Sequence, residues 1–453
     1  MSSTATIDTS PPTNRGMRGA LNRDAFRKSI PLLAVRVPAA QTTKFMKSDI
    51  VKSRVLDIPK VRTVIPDAQD SKSRLVLLRD KDEESLSPEI RSFIEKEALG
   101  FAPYNLELDY SYWTADEILQ AVLPEHLCET SPTSFTITGH LAHINLKDEY
   151  LPYKYVIGQV ILDKHKGLRT VVNKLDNIDT EFRFFKMEVI AGESDFVVEA
   201  HEANCKFTFD FSSVYWNSRL HTEHERLVSL FNPGDVIADV FAGVGPFAIP
   251  AAKKGCVVFG NDLNPSSAKY MQKNADDNQV NDRVRVSNVD GREYIRQIAS
   301  EAWHRPFPPL GLPKSSKQRA REKRNQQQAK IDGPATAPDD LLPSRRRIDH
   351  FVMNLPGTAL EFLDSFRGIL APFKALPDFK TIYDTMPMVH CHCFTKEIET
   401  ADAITDIRRR AERALGHALP EETTFHFVRA VAPKKDMYCV SFALPRDLAL
   451  GGK

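Results

Sequence analysis

The chain has 453 residues, 42% hydrophobic and 27% charged, with a formal net charge of +1. That length supports two or three domains, and no apolar run approaches the roughly 18 residues of a membrane-spanning helix. Six scattered cysteines without a secretory h-region favour a reduced compartment over a disulfide framework, and a net charge this small requires any nucleic-acid-binding surface to be local.

Residues 1–40 read as a disordered basic tail. Arg15, Arg18, Arg23, Arg27 and Lys28 give it a transit-peptide flavour, balanced by the plain reading of a solvated tail. Residues 41–125 read as a small α+β domain: a strand at Leu75–Leu78, a helix at Pro88–Ala98, an alternating strand at Leu106–Trp113, and a capping box at Thr114-x-x-Glu117. Residues 126–210 look strand-rich, with SFTITGHLAHINL, KYVIGQVILDKH, TVVNKL, FRFFKMEVIAG and FVVEA all taken as strands, and lysines and arginines recur among them. These charges fit basic sheet edges or a phosphate-contacting surface.

A polar cluster follows in VYWNSRLHTEHER, with Tyr215, Arg219, Glu223 and His224 at the start of a helix over 222–231. Glu223 suits a proton acceptor; the plainer alternative is that it caps its helix or pairs with Arg219 or Arg226. The next stretch, DVIADVFAGVGPFAIPAAKKGCVVFGNDLNP, reads as strand, glycine turn, helix, strand, acid. Such a β-α-β unit binds nucleotides. Gly243 and Gly245 let the backbone approach a ligand, Asp239 stands where a carboxylate meets an ammonium, and Asp262 can accept from ribose hydroxyls. Gly243-x-Gly245-x-x-Ala248 also satisfies the dinucleotide pattern, so an NAD-dependent reductase is a distant rival. Pro246 is placed in the first helical turn, and Pro250 is expected to kink the helix.

A helix over 266–278, a strand over 284–289 ending at Asp290-Gly291, and a helix over 293–300 come next. Residues 305–347 break in composition and read as a disordered insertion whose basic block suits nucleic acid, a nuclear address or a spacer. The sheet resumes at 349–354 and turns at Asn354-Leu355-Pro356, where an amide and two carbonyls can face a planar base. A helix over 359–370, a strand over 388–394, a helix over 400–415 and an antiparallel pair at 425–430 and 438–444 complete the chain. His390-Cys391-His392-Cys393 looks metal-like, but alternate strand residues point to opposite faces, so no metal site is expected there.

VYWNSRLHTEHER, DVFAGVGPFAIPAAKKG, NDLNP, the Asp290-Gly291 turn and MNLPG, in this order, resemble the tRNA (guanine-N1)-methyltransferases of eukaryotes and archaea. These enzymes modify the guanine 3′ of the anticodon, position 37. The resemblance runs from about Ser134 to the C-terminus, outside the insertion. It implies an α/β fold: a class I methyltransferase doubly wound sheet with an antiparallel edge hairpin over 211–447, plus smaller α+β N-terminal and middle domains. It implies S-adenosyl-L-methionine as cofactor and tRNA as partner, through the anticodon stem-loop and the elbow. It also implies a monomer off the membrane, in the mitochondrial matrix, nucleus and cytoplasm.

Residue by residue, the resemblance places Asp262 and Leu263 at the ribose and adenine, Asp290 and Gly291 at the adenine pocket, and His224 in the cofactor site. Asn354 and Pro356 orient guanine, Arg219 faces its oxygen, Glu223 is the base, and Arg183 with Tyr215 contacts substrate. Leu355 stands between Asn354 and Pro356, where many amino-methyltransferases have a proline. The chemistry agrees: guanine N1 carries a proton at neutral pH, so its methylation needs a carboxylate to remove it and a cation for the charge on O6. A related aminocarboxypropyl transferase and an inactive RNA-binding protein are the rivals.

Overall fold

The computed structural model describes residues 7–129, 132, 134–178, 185–311, 341–342 and 345–452. Its contacts divide the chain into two units. The first is residues 1–137, 141–174 and 188–194; the second is 138–140, 175–187 and 195–453.

In the first unit, β1 (Lys28–Pro38) is an inner strand, not part of a disordered tail. With β2 (Val64–Pro66), β3 (Ser73–Leu77) and β4 (Phe101–Leu108) it forms an antiparallel sheet in the order β2-β3-β1-β4. Leu32, Ala34, Val35 and Val37 of β1 are buried. The residues before it are fastened too. Trp113 Nε1–H donates to Thr9 O at 2.7 Å, Arg15 donates to Leu123 O at 2.6 Å, and Arg23 pairs with Asp163 at 2.7 Å. Basic residues that suggested a targeting segment therefore serve the fold. Helices α1 (Pro88–Glu97) and α2 (Ala115–Val122) start as expected, the second with its capping box closed.

β5 (Thr136–Thr138), β6 (Leu141–Ile144), β7 (Thr170–Ile178) and β8 (Phe185–Gly192) follow. The stretch read as a strand, KYVIGQVILDKH, is instead helix α3 (Lys154–Lys164). The reason is topological: β6 and β7 pair in parallel, and parallel neighbours need a crossover, usually a helix. α3 buries Val156, Ile157, Val160 and Ile161 on one face, but the apolar Tyr155 and Leu162 on its more open side blur the contrast that marks a helix in sequence. One core joins Leu32, Trp113, Ile118, Val156 and Ile190, so no boundary falls at 125/126.

β9 (Val197–Glu202) and β10 (Cys205–Asp210) form a hairpin that belongs to the second unit, not to a middle domain. Helix α4 (His221–Ser229) leads into β11 (Val236–Asp239), α5 (Ala248–Lys254), β12 (Val257–Asn261), α6 (Pro265–Asp277), β13 (Val284–Ser287) and α7 (Gly291–His304). β14 (Leu310–Gly311) pairs with β15 (Leu341–Leu342). Then come β16 (His350–Met353), a 3-10 helix over Ala359–Phe366, β17 (Met388–Thr395), α8 (Thr400–Leu415), and the hairpin β18 (Thr424–Ala432) and β19 (Lys435–Ala443). The sheet order is β13-β12-β11-β16-β17-β19-β18, parallel except for β19 with its neighbours. This is the expected doubly wound sheet with an antiparallel edge. α5 begins two residues later than expected, so Pro250 falls in its first turn, where its missing N–H costs little.

The insertion is also narrower than its composition suggests. Phe307 is buried in the core, Arg345 lies 3.4 Å from Asp235 and Asp349, and Arg347 pairs with Asp349 at 2.7 Å and Asp384 at 2.6 Å. Residues 312–340 lie outside the described residues.

Two outcomes follow. Leu32→Ala in β1 should cost about 2–5 kcal/mol, the usual range for a buried leucine, read as a lowered urea midpoint; a surface-like loss below 0.5 kcal/mol, on the order expected of exposed sites, would restore the disordered tail. Replacing 312–340 by a short Gly/Ser linker should leave the melting transition intact, because Gly311 and Leu341 are paired neighbours.

Candidate active site

The site is built at the carboxyl ends of the parallel strands, where strand order reverses between β11 and β16. Ligands of open α/β sheets bind at such a point. β11 ends at Asp239, and the chain turns through Gly243 (φ +55°) and Gly245 (φ +97°), a region that favours glycine. A Cβ on Gly245 would stand 2.8 Å from Ile249 Cγ1, whereas nothing lies within 4 Å of one on Gly243. The turn is therefore packed at its second glycine and open at its first.

Asp262 follows β12. Its Oδ2 accepts the Gly243 N–H at 2.8 Å and its Oδ1 the Asn264 N–H at 2.9 Å. Each oxygen keeps a further lone pair for a ligand hydroxyl. Burial raises its pKa, against the two N–H donors. Asp239 is more extreme: it is fully buried and neither carboxylate oxygen has a hydrogen-bond partner. Burial, and then the charge of Asp262, push its pKa up to about 8. A buried unpaired carboxylate is costly, and a cationic group of a ligand would relieve that cost. Leu263, 45% exposed, offers an apolar side chain next to Asp262.

Asparagines that the sequence analysis passed over hold this end together. Asn261 spans strands: its Nδ2 donates to Val240 O and Val289 O at 3.2 and 3.0 Å, and its Oδ1 accepts Val289 N–H at 3.1 Å. Asn274 joins the glycine turn to the β9–β10 hairpin by Nδ2–H to Val244 O at 3.0 Å and Thr208 N–H to Oδ1 at 2.8 Å. Asn288 donates to Asp262 O at 2.7 Å and Leu263 O at 2.9 Å. Their signal was a repeated Asn at strand ends and on one helix face.

The other half of the site lies past β16. Asn354 has a buried Oδ1 without a partner. The Pro356 carbonyl accepts Phe394 N–H at 3.0 Å, and the Leu355 carbonyl accepts Thr358 and Ala359 N–H at 2.9 and 2.8 Å. These carbonyls shape the turn, and the amide oxygen is the acceptor left over. Met353 pairs with Cys391 in register, so Asn354 and His392 are the next residues on neighbouring strands.

His392 is fully buried and meets Glu223 of α4, Nε2 to Oε1, at 2.7 Å. Arg226 holds both oxygens of Glu223, at 2.6 and 2.7 Å. Burial alone would raise the Glu223 pKa; the Arg226 and His392 hydrogen bonds outweigh it and hold the carboxyl well below its usual range. The pairing with Arg226 is the plainer of the two sequence readings of Glu223, and the structure bears it out.

The remaining expected residues are spread around these two centres. Tyr215 and Arg219 are exposed; Arg219 lies in the turn before α4, and its side chain does not pair with Glu223. His224 is buried, hydrogen-bonded to Glu202 of β9 and edge-on to Phe247. Asp290 is exposed and caps α7 through the Arg292 and Glu293 N–H groups at 2.8 and 3.3 Å. Gly291 is needed for packing: a Cβ there would meet Phe241 at 2.8 Å. Arg183 lies outside the described residues. In β17 the alternation holds, with Cys391 and Cys393 in the apolar core and His390 and His392 on the other face. Glu223, His392 and Cys439 have donor atoms within 4.8 Å of one another. A cation there would have to displace the guanidinium of Arg226.

Sheet order and site define the class: a class I methyltransferase. The model of the TRM5/TYW2 methyltransferase domain matches residues 198–302, and that of the TYW2 N-terminal domain matches 115–195. The tRNA (guanine(37)-N(1))-methyltransferase of Coprinopsis cinerea is 55% identical over 98% of this chain and 98% of its own. The chain belongs to the tRNA (guanine(37)-N(1))-methyltransferase family. Among solved structures, wild-type Trm5b from Pyrococcus abyssi matches 91% of this chain and 98% of its own, with TM-score 0.54 at 23% identity. aTrm5 in complex with tRNALeu matches 91% and 100%, with TM-score 0.56 at 17% identity. At these identities the likeness speaks for the fold.

Asp239 makes a testable pH signature. Its folded pKa of about 8 stands above the ordinary 3.8. Across that window the folded chain holds a proton that the unfolded chain has released, so stability falls as pH rises. Asp239→Asn cannot ionise. It should flatten that slope, raise the melting temperature of the unliganded protein near pH 8, and weaken binding of S-adenosylhomocysteine. An unchanged slope would show Asp239 to be ionised and compensated.

Proposed function

We propose that this chain transfers the methyl group of S-adenosyl-L-methionine to N1 of guanine 37 in tRNA, acting as a monomer, with Glu223 taking the N1 proton. The observation that carries the assignment of the base is the position of Glu223. It is buried, ionised and bonded to His392, next to Asn354, whose buried amide oxygen has no partner. Membership of the family supplies the substrate and the reaction.

S-adenosylmethionine, when bound, supplies an electrophilic methyl group on a sulfonium. Asp239 would meet its ammonium, Asp262 its ribose hydroxyls and Leu263 its adenine; the orphaned oxygens of Asp239 fit such a cation. Asn354 Oδ1 accepts from the guanine edge and holds the base in the turn. Glu223 takes the N1 proton, and the negative charge that develops on O6 is met by Arg219, whose exposed guanidinium is free to swing onto a docked base. His224, tied to Glu202, braces Phe247 behind the glycine turn. Among the described residues no helix is long and apolar enough to cross a membrane.

The family model also names TYW2, so transfer of the aminocarboxypropyl group is the second reading. A base for guanine N1 has no use in that reaction, and Glu223 favours methyl transfer. Labelling the methyl group in one assay and the carboxyl group in another separates the two.

Glu223→Gln should lower the single-turnover methylation rate by about 10²–10⁴, the worth of a positioned base, with affinity for tRNA and S-adenosylhomocysteine little changed. The loss should shrink as pH rises towards the range where guanine N1 ionises unaided. Breaking a buried ion pair costs up to about 3–5 kcal/mol; Arg226 keeps 26% of its side chain in water, which lessens this, and a melting curve checks that the variant is folded. A folded Glu223→Gln variant with the wild-type rate would remove Glu223 from the chemistry.

A further inference from the structure

An ion pair that keeps Glu223 ionised also makes it a weak base. The pair with Arg226 comes from one turn further along the same helix, and by itself leaves the carboxylate free to rotate with that helix face. The second partner comes from a different element. His392 projects from β17, an inner strand with β16 on one side and β19 on the other, and is fully buried. Its Nε2 lies 2.7 Å from Glu223 Oε1, while Nδ1 has no hydrogen-bond partner.

We propose that His392 is a positioning residue for proton removal: its bond to the Glu223 carboxylate locks that group to the sheet beside Asn354. This rests on the reading of Glu223 as the base. Three things support it. The bond joins α4 to the strand next to the Asn354 turn, so it fixes the carboxylate relative to the target base and not merely relative to its own helix. His390, two residues earlier on the same face, is equally buried but bonds Ser441 at 2.8 Å and His350 at 3.1 Å, so burial alone does not direct an imidazole to a carboxylate. Finally, burial works against a charge on His392, yet Cys439 and the Glu223 carboxylate raise its pKa above the ordinary imidazole value.

The groups facing this pair are Arg226 on α4, His426 of β18 with Nε2 3.7 Å from Glu223 Oε2, Cys439 of β19, His390 on β17 itself and Asp239 at the end of β11. Of these, Arg226 bonds the carboxylate directly, as His392 itself does. Losing the imidazole charge leaves one cationic partner, so the proton affinity of Glu223 must rise. Its ionised form is then lost at a higher pH as pH falls.

Single-turnover methylation of tRNA across pH tests this with His392→Leu, His392→Gln, His390→Gln and Glu223→Gln in the full-length chain. Leucine removes the donor and should slow the step by about 10–100-fold, the cost of a misplaced reacting group. Glutamine keeps an N–H donor at a similar reach without a charge. It should recover most of the rate at high pH while moving the acid limb of the profile upward. His390→Gln removes a buried imidazole that does not touch Glu223 and should leave the limb in place. If the leucine variant does not fold, as read by melting and S-adenosylhomocysteine binding, the glutamine variant decides alone. A slow Glu223→Gln variant together with an unmoved limb in His392→Gln overturns the role of His392 and leaves the base in place. A wild-type rate in Glu223→Gln overturns both.

Discussion

A carboxylate taken out of water must be paired, and the catalytic unit is arranged around two that meet this demand in opposite ways. Glu223 is over-satisfied, with Arg226 on both oxygens and His392 on one. Asp239 is unsatisfied on both. Breaking a buried ion pair is far more costly than breaking an exposed one, so α4 cannot shift relative to β17 without penalty. Leaving Asp239 bare stores a penalty that a cationic ligand removes. One carboxylate fixes the frame, and the other waits for a partner.

The space between them is set by backbone geometry. Register places Asp239 opposite Val352, and Asn354 one step beyond the Met353–Cys391 pair. The reversal of strand order opens the crevice, and the asparagines close its walls: Asn261 clamps the strand ends, Asn274 ties the glycine turn to the β9–β10 hairpin, and Asn288 steadies Asp262 and Leu263. The hairpin thus belongs with the catalytic unit because a helix of that unit satisfies its backbone.

What was legible in the sequence was local. The glycine turn, the Thr114 capping box and the alternation of His390 to Cys393 each express a rule that spans a few residues, and each is found in the structure. What was hidden was tertiary. β1 looked like a tail because its basic, Pro- and Ser-containing surroundings outweighed the short buried run that the sheet uses. α3 looked like a strand because its apolar run from Tyr155 to Leu162 is broken only at Gly158 and Gln159, which leaves little helical contrast in the sequence. Arg345 and Arg347 fell within the stretch read as an insertion, although Asp235, Asp349 and Asp384 claim them. His392 was set aside with a rejected metal motif, since its partner lies 169 residues away in the chain.

Proton removal by Glu223 is most directly tested by changing the acidity of the proton instead of the enzyme. A tRNA carrying 6-thioguanine at position 37 offers a more acidic N1 on the same ring. Dependence on a general base falls as the proton to be removed becomes more acidic. The ratio of the wild-type to the Glu223→Gln single-turnover rate should therefore be markedly smaller on this tRNA than on the natural one. An equal ratio on both would mean that Glu223 holds the structure together and that the proton leaves by another route.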